Sequence, residues 1–201
     1  LSLVMAEATN HYFKHLGVSD GLSQVCIPSI YQDELGAVWL GTTEGLNRYN
    51  GKDVRVFQPS ESNHGLTNNE INELCGDKNG RMYIRSGNDL IKLDIYTEQF
   101  TCLRQKGVYG LFCKKDTLWV SCADGIYYYT GQGTELTFFA RVQKGFVGRA
   151  LYVDKETVWV VTRKYLVAIS REDPLRQEIL LTLDKGNCIL GDSSGNIWVG
   201  A

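Results

Sequence analysis

Short apolar runs alternate with turn-forming residues along the whole chain, and the runs recur at a nearly constant spacing. In each repeat one aromatic residue follows a turn and lies inside an apolar run, as in Val38-Trp39-Leu40. The residues in this slot are Trp39, Tyr83, Trp119, Trp159 and Trp198. They are 44, 36, 40 and 39 residues apart, and all four tryptophans of the chain occupy the slot. The chain is therefore predicted to contain four to five repeats of about 40 residues.

Each repeat predicts four short β-strands. In the first repeat the predicted strands are Cys26–Gln32, Val38–Thr42, Leu46–Tyr49 and Val54–Phe57. The segments between them, such as Asp33-Glu34-Leu35-Gly36 and Asn50-Gly51, are typical of tight hairpin turns. The second strand is apolar at consecutive positions, which indicates a sheet covered on both faces. Stacked four-stranded antiparallel sheets of this length predict an all-β fold, the β-propeller, in which each sheet is one blade.

Charge and composition exclude two classes of function. The 201 residues include 21 Lys and Arg against 23 Asp and Glu, a net charge of −2. Because this balance lacks the basic surplus that phosphate binding needs, we expect no direct nucleic-acid binding by this segment. No run reaches the roughly 18 to 20 apolar residues that span a bilayer.

The first residues resemble the end of an export signal. Residues 1–8 form an apolar run that ends in small residues, which is typical of the tail of a secretory signal peptide. We therefore expect residues 1–8 to be a signal-peptide remnant and residues 9–201 to fold outside the cytoplasm.

The first repeat also resembles a known family. Gly21-Leu22-Ser23, followed by IYQDELGAVWLGTTEGLNRY from Ile30 to Tyr49, closely resembles the two-component regulator propeller repeat. The fifth repeat matches in Asp192, Gly195 and the segment Ile197-Trp198-Val199-Gly200. The second repeat departs from the pattern, with Tyr83 in place of Trp and Arg85-Ser86 in place of Gly-Thr. The resemblance extends over essentially the whole chain and is most specific in the first repeat.

This resemblance implies the periplasmic sensor of a hybrid two-component system of Bacteroides-type bacteria. Similar sensors precede a membrane helix, a histidine kinase and a response regulator with a DNA-binding output. Many of them detect oligosaccharides, and some dimerise. The expected function is thus detection of an oligosaccharide and regulation of glycan-use genes through phosphorelay, with no enzyme activity in this segment. The expected partners are the ligand, a second copy, the remaining blades of a seven-bladed ring and a membrane-linked kinase.

The end of the sequence supports the expectation of further blades. The last repeat ends three residues after Trp198, inside its second strand, and Tyr12–Leu16 resembles the outer strand of a closing blade. We therefore expect 9–201 to be the N-terminal part of a larger propeller, or a fragment that pairs through its open edges.

No catalytic or metal-binding residue emerges from the sequence, and no cofactor is expected. The histidines are His11, His15 and His64. His11 and His15 lie four residues apart in a predicted edge strand, where that spacing does not form the paired ligands that a helix would offer. The segment Asp77-Lys78-Asn79-Gly80 resembles the start of a calcium loop, but it lacks the downstream glutamate and occupies a hairpin-turn position.

The cysteines show no pattern of metal ligands. Cys26, Cys75, Cys102, Cys113, Cys122 and Cys188 form no CxxC pair and no Cys/His cluster. Because most of them lie in apolar runs and the chain is large enough not to need disulfides, we expect buried free thiols.

The ligand-binding residues stay unknown at this level. Tyrosines outside the repeat slot can stack on sugar rings or pack between blades: Tyr109, Tyr127, Tyr128, Tyr129 and Tyr165. Polar groups that lead into first strands lie near the end of the predicted channel, and they can equally satisfy turn backbones: Asn68, Asn69, Glu70 and Arg149. Two basic pairs, Lys114-Lys115 and Arg163-Lys164, are expected on solvated turns.

Two other functions fit a propeller. One is a glycan-active enzyme, a lyase or a hydrolase, which needs acid and base groups that converge at the channel. The other is a non-catalytic propeller that binds protein partners.

Overall fold

Every repeat folds into an antiparallel meander, because short turns join its successive strands. The computed structural model describes residues 15–59, 65–104 and 106–201. The first sheet contains β1 (Ser29–Gln32), β2 (Val38–Thr42), β3 (Gly45–Tyr49) and β4 (Val54–Phe57). The second contains β5 (Ile71–Gly76), β6 (Arg81–Ser86), β7 (Asp89–Asp94) and β8 (Gln99–Arg104).

The later sheets repeat this order. The third sheet contains β9 (Val108–Lys114), β10 (Thr117–Cys122), β11 (Gly125–Tyr129) and β12 (Thr137–Ala140). The fourth contains β13 (Gly148–Val153), β14 (Thr157–Thr162), β15 (Tyr165–Ser170) and β16 (Gln177–Thr182). The fifth contains β17 (Cys188–Gly191) and β18 (Ile197–Gly200). Two short 3₁₀ turns, Val18–Asp20 and Gln143–Gly145, lie in the connections.

The sheets stack face to face as the blades of a β-propeller. The first strands of successive sheets contact each other, so β1, β5, β9, β13 and β17 lie side by side along the inside of an arc. The predicted all-β propeller of four-stranded antiparallel blades is thus confirmed. Within the described residues there are four such blades and two strands of a fifth.

The repeated aromatic residue lies in the second strand of every sheet, and its burial follows the stacking. Trp39 and Tyr83 are fully buried in the apolar layers between the first three blades, and Trp119 is buried between the third and fourth. Trp198 is 62% exposed, because no described sheet covers its own. The slot therefore supplies the apolar contact of each blade with the next one along the chain.

Some predicted boundaries need correction. The first strand begins at Ser29 rather than Cys26, since Pro28 has no N–H group to donate to a neighbouring strand. The third begins one residue earlier than predicted, at Gly45.

Other sequence predictions fall partly or wholly outside the described residues. The predicted strand Tyr12–Leu16 does so for its first three residues, and the last two, His15 and Leu16, lie in no strand. The signal-peptide remnant at 1–8 and two of the histidines, His11 and His64, also lie outside the described part.

The expectation of buried thiols holds for only part of the cysteines. Cys122 is buried, and Cys75, Cys102 and Cys113 are half-buried, whereas Cys26 and Cys188 are exposed. Cys26 is exposed because it precedes the shortened first strand, and Cys188 because it lies in the incomplete fifth sheet. No helix among the described residues is long and apolar enough to cross a membrane.

Candidate functional site

The arc has two faces that differ in their side chains. We call the upper face the one at which the first strand of each sheet begins and at which the turn between second and third strands lies. The lower face carries the turn between first and second strands. Because strands alternate in direction, the same repeat position returns to the same face in every blade.

The lower face is built on one recurring aspartate. Asp33 Oδ1 accepts hydrogen bonds from the backbone N–H groups of Leu35 (3.0 Å) and Ala37 (2.9 Å), and its Oδ2 accepts one from Trp39 Nε1 (2.8 Å). The carboxylate therefore closes the turn and also fixes the indole that packs between blades. The same tryptophan bond recurs between Trp159 and Asp154 (2.6 Å).

The fifth repeat forms the same set of bonds in an exposed setting. Asp192 accepts from the N–H groups of Ser194 (2.9 Å) and Asn196 (2.8 Å) and from Trp198 Nε1 (2.9 Å). The bonds from Trp198 and Asn196 lower the pKa of Asp192 to about 2. The aspartates of this repeat position are engaged in structure, which leaves the lower-face turns without a free catalytic carboxylate at this position.

The second blade, which departs from the repeat in sequence, also departs in its bonding. Tyr83 takes the place of tryptophan, and its buried hydroxyl has no hydrogen-bond partner among residues 15–59, 65–104 and 106–201. Asp77, which would accept the indole bond, binds Arg81 Nε instead, and it shapes the hairpin turn as predicted. Burial, with the nearby carboxylate of Asp77, raises the pKa of Tyr83.

The unpartnered hydroxyl leads to a first prediction. Replacing Tyr83 by Phe should leave the free energy of unfolding unchanged or raise it by up to about 1 kcal/mol, because a buried hydroxyl without a partner costs desolvation energy. The ring contact with Tyr129, at 6.0 Å between centroids, is kept by Phe. Urea denaturation of both proteins measures the difference, and a loss above about 1 kcal/mol would show that the hydroxyl has a partner.

Neighbouring first strands are joined by side chains near the upper face. Between blades one and two, Ser29 Oγ accepts a hydrogen bond from the Leu74 N–H (2.9 Å). Between blades two and three, Glu73 Oε2 accepts from the Leu111 N–H (3.1 Å) and pairs with Arg85 Nε (3.4 Å). Arg85 stands where the first repeat has glycine, and its guanidinium lies beside the carboxyl group of Glu73 on the adjacent strand of the same sheet.

Glu73 has a carboxyl group with a strongly raised pKa. Burial between the blades raises its pKa from 4.5 to about 7, although Arg85 and the Leu111 N–H act in the opposite direction. The folded protein therefore holds a proton that the unfolded chain releases between about pH 4.5 and pH 7. It follows that the contribution of Glu73 to stability falls as the pH rises through this window.

The Glu73→Gln variant should remove this pH dependence. Gln resembles the protonated acid and still accepts the Leu111 N–H bond. The free energy of unfolding of the variant, relative to that of wild type, should therefore be about 1–2 kcal/mol higher at pH 8 than at pH 5. This value is smaller than the free energy that corresponds to the whole pKa shift, because the Glu73 side chain is 30% exposed and solvent screens its charge. Urea denaturation at both pH values measures the gain, and an equal stability difference at the two would contradict the raised pKa.

The sequence candidates on the upper face divide into two groups. Asn68 is engaged with the backbone of its own turn: its Oδ1 accepts from the Glu70 N–H (2.9 Å), and its carbonyl accepts from Ser86 Oγ (2.8 Å). Asn69 and Arg149 are exposed and make no side-chain hydrogen bond among the described residues. Asn68 therefore stabilises its turn, whereas the side chains of Asn69 and Arg149 remain available to contact a ligand.

The tyrosines likewise serve different roles. Tyr129 is buried and donates to the Gly133 carbonyl (2.7 Å), and Tyr127 donates to Asp124 Oδ2 (2.8 Å). Tyr165 packs against Phe146, with 4.8 Å between ring centroids, and Tyr109 is partly exposed. Most of these rings therefore pack within or between blades.

Two cavities adjoin on the upper face between the third and fourth blades. The first, which we call the Phe146 cavity, has a volume of about 350 Å³ and is lined by Phe146, Val147, Arg149, Thr162, Arg163 and Lys164. The second, of about 280 Å³, is lined by Ala123, Asp124, Gly125, Arg141, Val142 and Phe146. Arg149 and the Arg163-Lys164 pair were predicted as unrelated features of the sequence. Phe146 was not predicted, because it lies outside the repeat pattern. Among the described residues, no three His, Cys, Asp or Glu side chains gather to hold a metal ion.

Sequence comparison identifies the repeat and one relative. Residues 21–44 match the model of the family described as Two component regulator propeller. Histidine kinase P4 of Formosa agariphila is 38% identical over 53 residues, which cover 26% of this chain and 4% of that kinase.

Structural comparison supports the fold. The extracellular domain of the hybrid two component system BT3049 from B. thetaiotaomicron superposes with a TM-score of 0.80 at 23% identity, over 93% of this chain and 29% of that one. A gluconolactonase from Xanthomonas campestris superposes with a TM-score of 0.63 at 13% identity, over 85% and 67%. This chain thus spans less than a third of the extracellular domain that it resembles, and the propeller fold is shared with an enzyme.

Proposed function

Because this chain is a β-propeller that carries the two-component regulator repeat, we propose that it is an extracytoplasmic ligand-sensing part of a hybrid two-component histidine kinase. The match of residues 21–44 is the observation that carries the proposal. The similarity to a histidine kinase and to an extracellular sensor domain supports it. The periplasm is the compartment that such a sensor of an inner-membrane kinase occupies.

The proposal includes further blades and a kinase in the whole protein. The 62% exposure of Trp198 supports another blade, since the equivalent Trp39 is fully buried by its neighbour. Similar sensors are much longer than this chain. Residues 9–201 are accordingly the N-terminal part of the propeller, which dimerises in the signalling protein.

The proposed ligand is an oligosaccharide, and its binding regulates glycan-use genes through phosphorelay. Binding at the upper face shifts the arrangement of the propellers, and this shift passes through the membrane to the kinase. Such a shift requires that the ligand bind one arrangement more tightly than the other.

The proposal is tested with the full-length kinase in membrane vesicles. A panel of oligosaccharides is screened by calorimetry on the sensor region and by autophosphorylation of the kinase. We expect one oligosaccharide both to release heat and to change the phosphorylation level. Cleavage of the sugar would indicate a propeller enzyme instead, and capture of a protein without any sugar binding would indicate an interaction propeller.

A further inference from the structure

Positive charge is concentrated at the upper face of the fourth blade, although the chain as a whole is slightly acidic. Four cations line the two adjoining cavities: Arg141, Arg149, Arg163 and Lys164. In the described part of the chain none of them forms an ion pair. The one acidic residue in the lining, Asp124, is already bound by Arg104 at 2.8 Å. Among the described residues, the four cations of the two cavities therefore have no ion-pair partner.

The repeat shows that this charge is specific to one blade. The same upper-face turn, between second and third strands, contains Thr43-Glu44 in the first blade and Gly87-Asn88 in the second. It contains Ala123-Asp124 in the third blade and Arg163-Lys164 in the fourth. The turn geometry does not demand cations, because the other three blades form the same turn with neutral or acidic residues.

The cavity walls are held in place by hydrogen bonds. Thr162 Oγ1 accepts from the N–H groups of Lys164 (3.3 Å) and Tyr165 (2.9 Å), which fixes the basic turn. Gln177 Nε2 donates to the Arg141 carbonyl (2.9 Å), and its Oε1 accepts from the Gln143 N–H (2.8 Å). These bonds fix the backbone of both walls before any ligand binds, which reduces the entropy that ordering this backbone would cost.

We infer that the Phe146 cavity binds an anionic saccharide, one that bears carboxylate or sulfate groups. Arginine side chains bind such groups through paired N–H donors, and Phe146 contributes apolar surface to the cavity wall, against which a sugar ring can pack. The volume of about 350 Å³ lies in the range of small-molecule sites. This inference rests on the proposed function and names its substrate class and its site.

The test measures binding directly on this chain by calorimetry. The probes are galacturonate oligosaccharides, which carry carboxylates, chondroitin sulfate oligosaccharides, which carry sulfates as well, and neutral malto-oligosaccharides. We expect one anionic probe to bind and the neutral one not to bind. Affinity should fall by about tenfold or more in the double variant Arg163→Gln/Lys164→Gln, and also when salt is raised from about 50 to about 500 mM.

A matched control removes two cations from the opposite face. Lys115 and Lys155 are exposed on lower-face turns of the third and fourth blades, so Lys115→Gln/Lys155→Gln should bind as wild type does. Failure of both anionic probes to bind would overturn the inference. Binding of the neutral probe with equal affinity in both double variants would also overturn it, while leaving the sensor proposal intact.

A second, independent observation concerns two cysteines on adjacent first strands. Cys75 on β5 and Cys113 on β9 place their Sγ atoms 2.9 Å apart, closer than two non-bonded sulfur atoms pack. The residues are 38 positions apart in sequence and belong to different blades. Burial raises the pKa of the Cys75 thiol, so the folded protein holds it in its unreactive protonated form.

We propose that Cys75 and Cys113 form a disulfide that joins the second and third blades. Two S–H bonds break and one S–S bond forms while two protons and two electrons pass to a disulfide oxidant, whose own disulfide is reduced to two thiols. Because the thiol is buried in the folded protein, the exchange takes place during folding. The bond would restrict the unfolded chain by closing a loop of this length.

Refolding of the reduced chain with oxidised glutathione tests this disulfide. Alkylation without reduction, followed by digestion, should yield one linked peptide pair with Cys75 and Cys113. Reductant should then lower the Tm by roughly 10 °C, an effect that Cys113→Ser abolishes and the control Cys102→Ser preserves. Alkylation of both thiols in the oxidised protein would refute the proposal, and the result does not depend on the sensor function.

Discussion

Replacing Asp33 by Ala should lower the free energy of unfolding by about 3–5 kcal/mol. The substitution removes the acceptor of two backbone N–H groups and of Trp39 Nε1, all within 3.0 Å of the carboxylate. Asp33, Ala37 and Trp39 are buried, so water cannot replace two of the three lost bonds, whereas it can reach the N–H group of the exposed Leu35. Each buried donor without a partner costs about 1–3 kcal/mol. Urea denaturation measures the loss, which is a large share of the total stability of a typical domain.

The fifth repeat supplies a matched control for this prediction. Asp192 makes the same three bonds to Ser194, Asn196 and Trp198, but Trp198 is 62% exposed. Water can therefore take over the bonds in Asp192→Ala, and the loss should be a small fraction of that in Asp33→Ala. Equal losses at the two sites would show that burial does not set the value of the bond.

The repeat itself was predictable because each of its strands is bounded by turn residues that are close in sequence. The hairpin turns bracket β2 and β4 so closely that both strands have the predicted bounds, Val38–Thr42 and Val54–Phe57. The recurring Asp was interpreted only as a turn former. Its offset from the tryptophan, six in Asp33/Trp39 and in Asp192/Trp198 and five in Asp154/Trp159, was a sequence signal for the second bond as well.

The contacts between blades were not predictable in the same way. Glu73 with the Leu111 N–H joins the first strands of the second and third blades, and the second cavity brings Phe146 beside Asp124 of the third blade. No strand periodicity links such residues, since their proximity depends on how one sheet stacks on the next. The only signal was indirect: a departure from the repeat, such as Arg85 in the glycine position, marked a place where the neighbour must compensate.

The glycine that Arg85 replaces is the subject of the last prediction. In the first repeat this position is Gly41, and a Cβ there would lie 2.7 Å from Ile71 Cγ2 and 3.0 Å from the Ile71 carbonyl oxygen of the next blade. Gly41→Val should therefore force the first two blades apart and lower the free energy of unfolding by about 2–4 kcal/mol. At the equivalent position of the second blade, the Arg85 guanidinium contacts Glu73 Oε2 and the Gly87 carbonyl.

The matched control is Gly200→Val, at the same repeat position in the fifth sheet. A Cβ at Gly200 would meet only Cys188 Sγ of its own sheet, at 2.5 Å, and that exposed side chain can rotate away. The two variants are compared by urea denaturation of this chain, and we expect the loss at Gly41 to exceed that at Gly200 several-fold. A loss at Gly41 no larger than that at Gly200 would mean that the blades are not packed closely enough for this position to require glycine. The contact with Ile71 would then not be the reason for glycine at position 41.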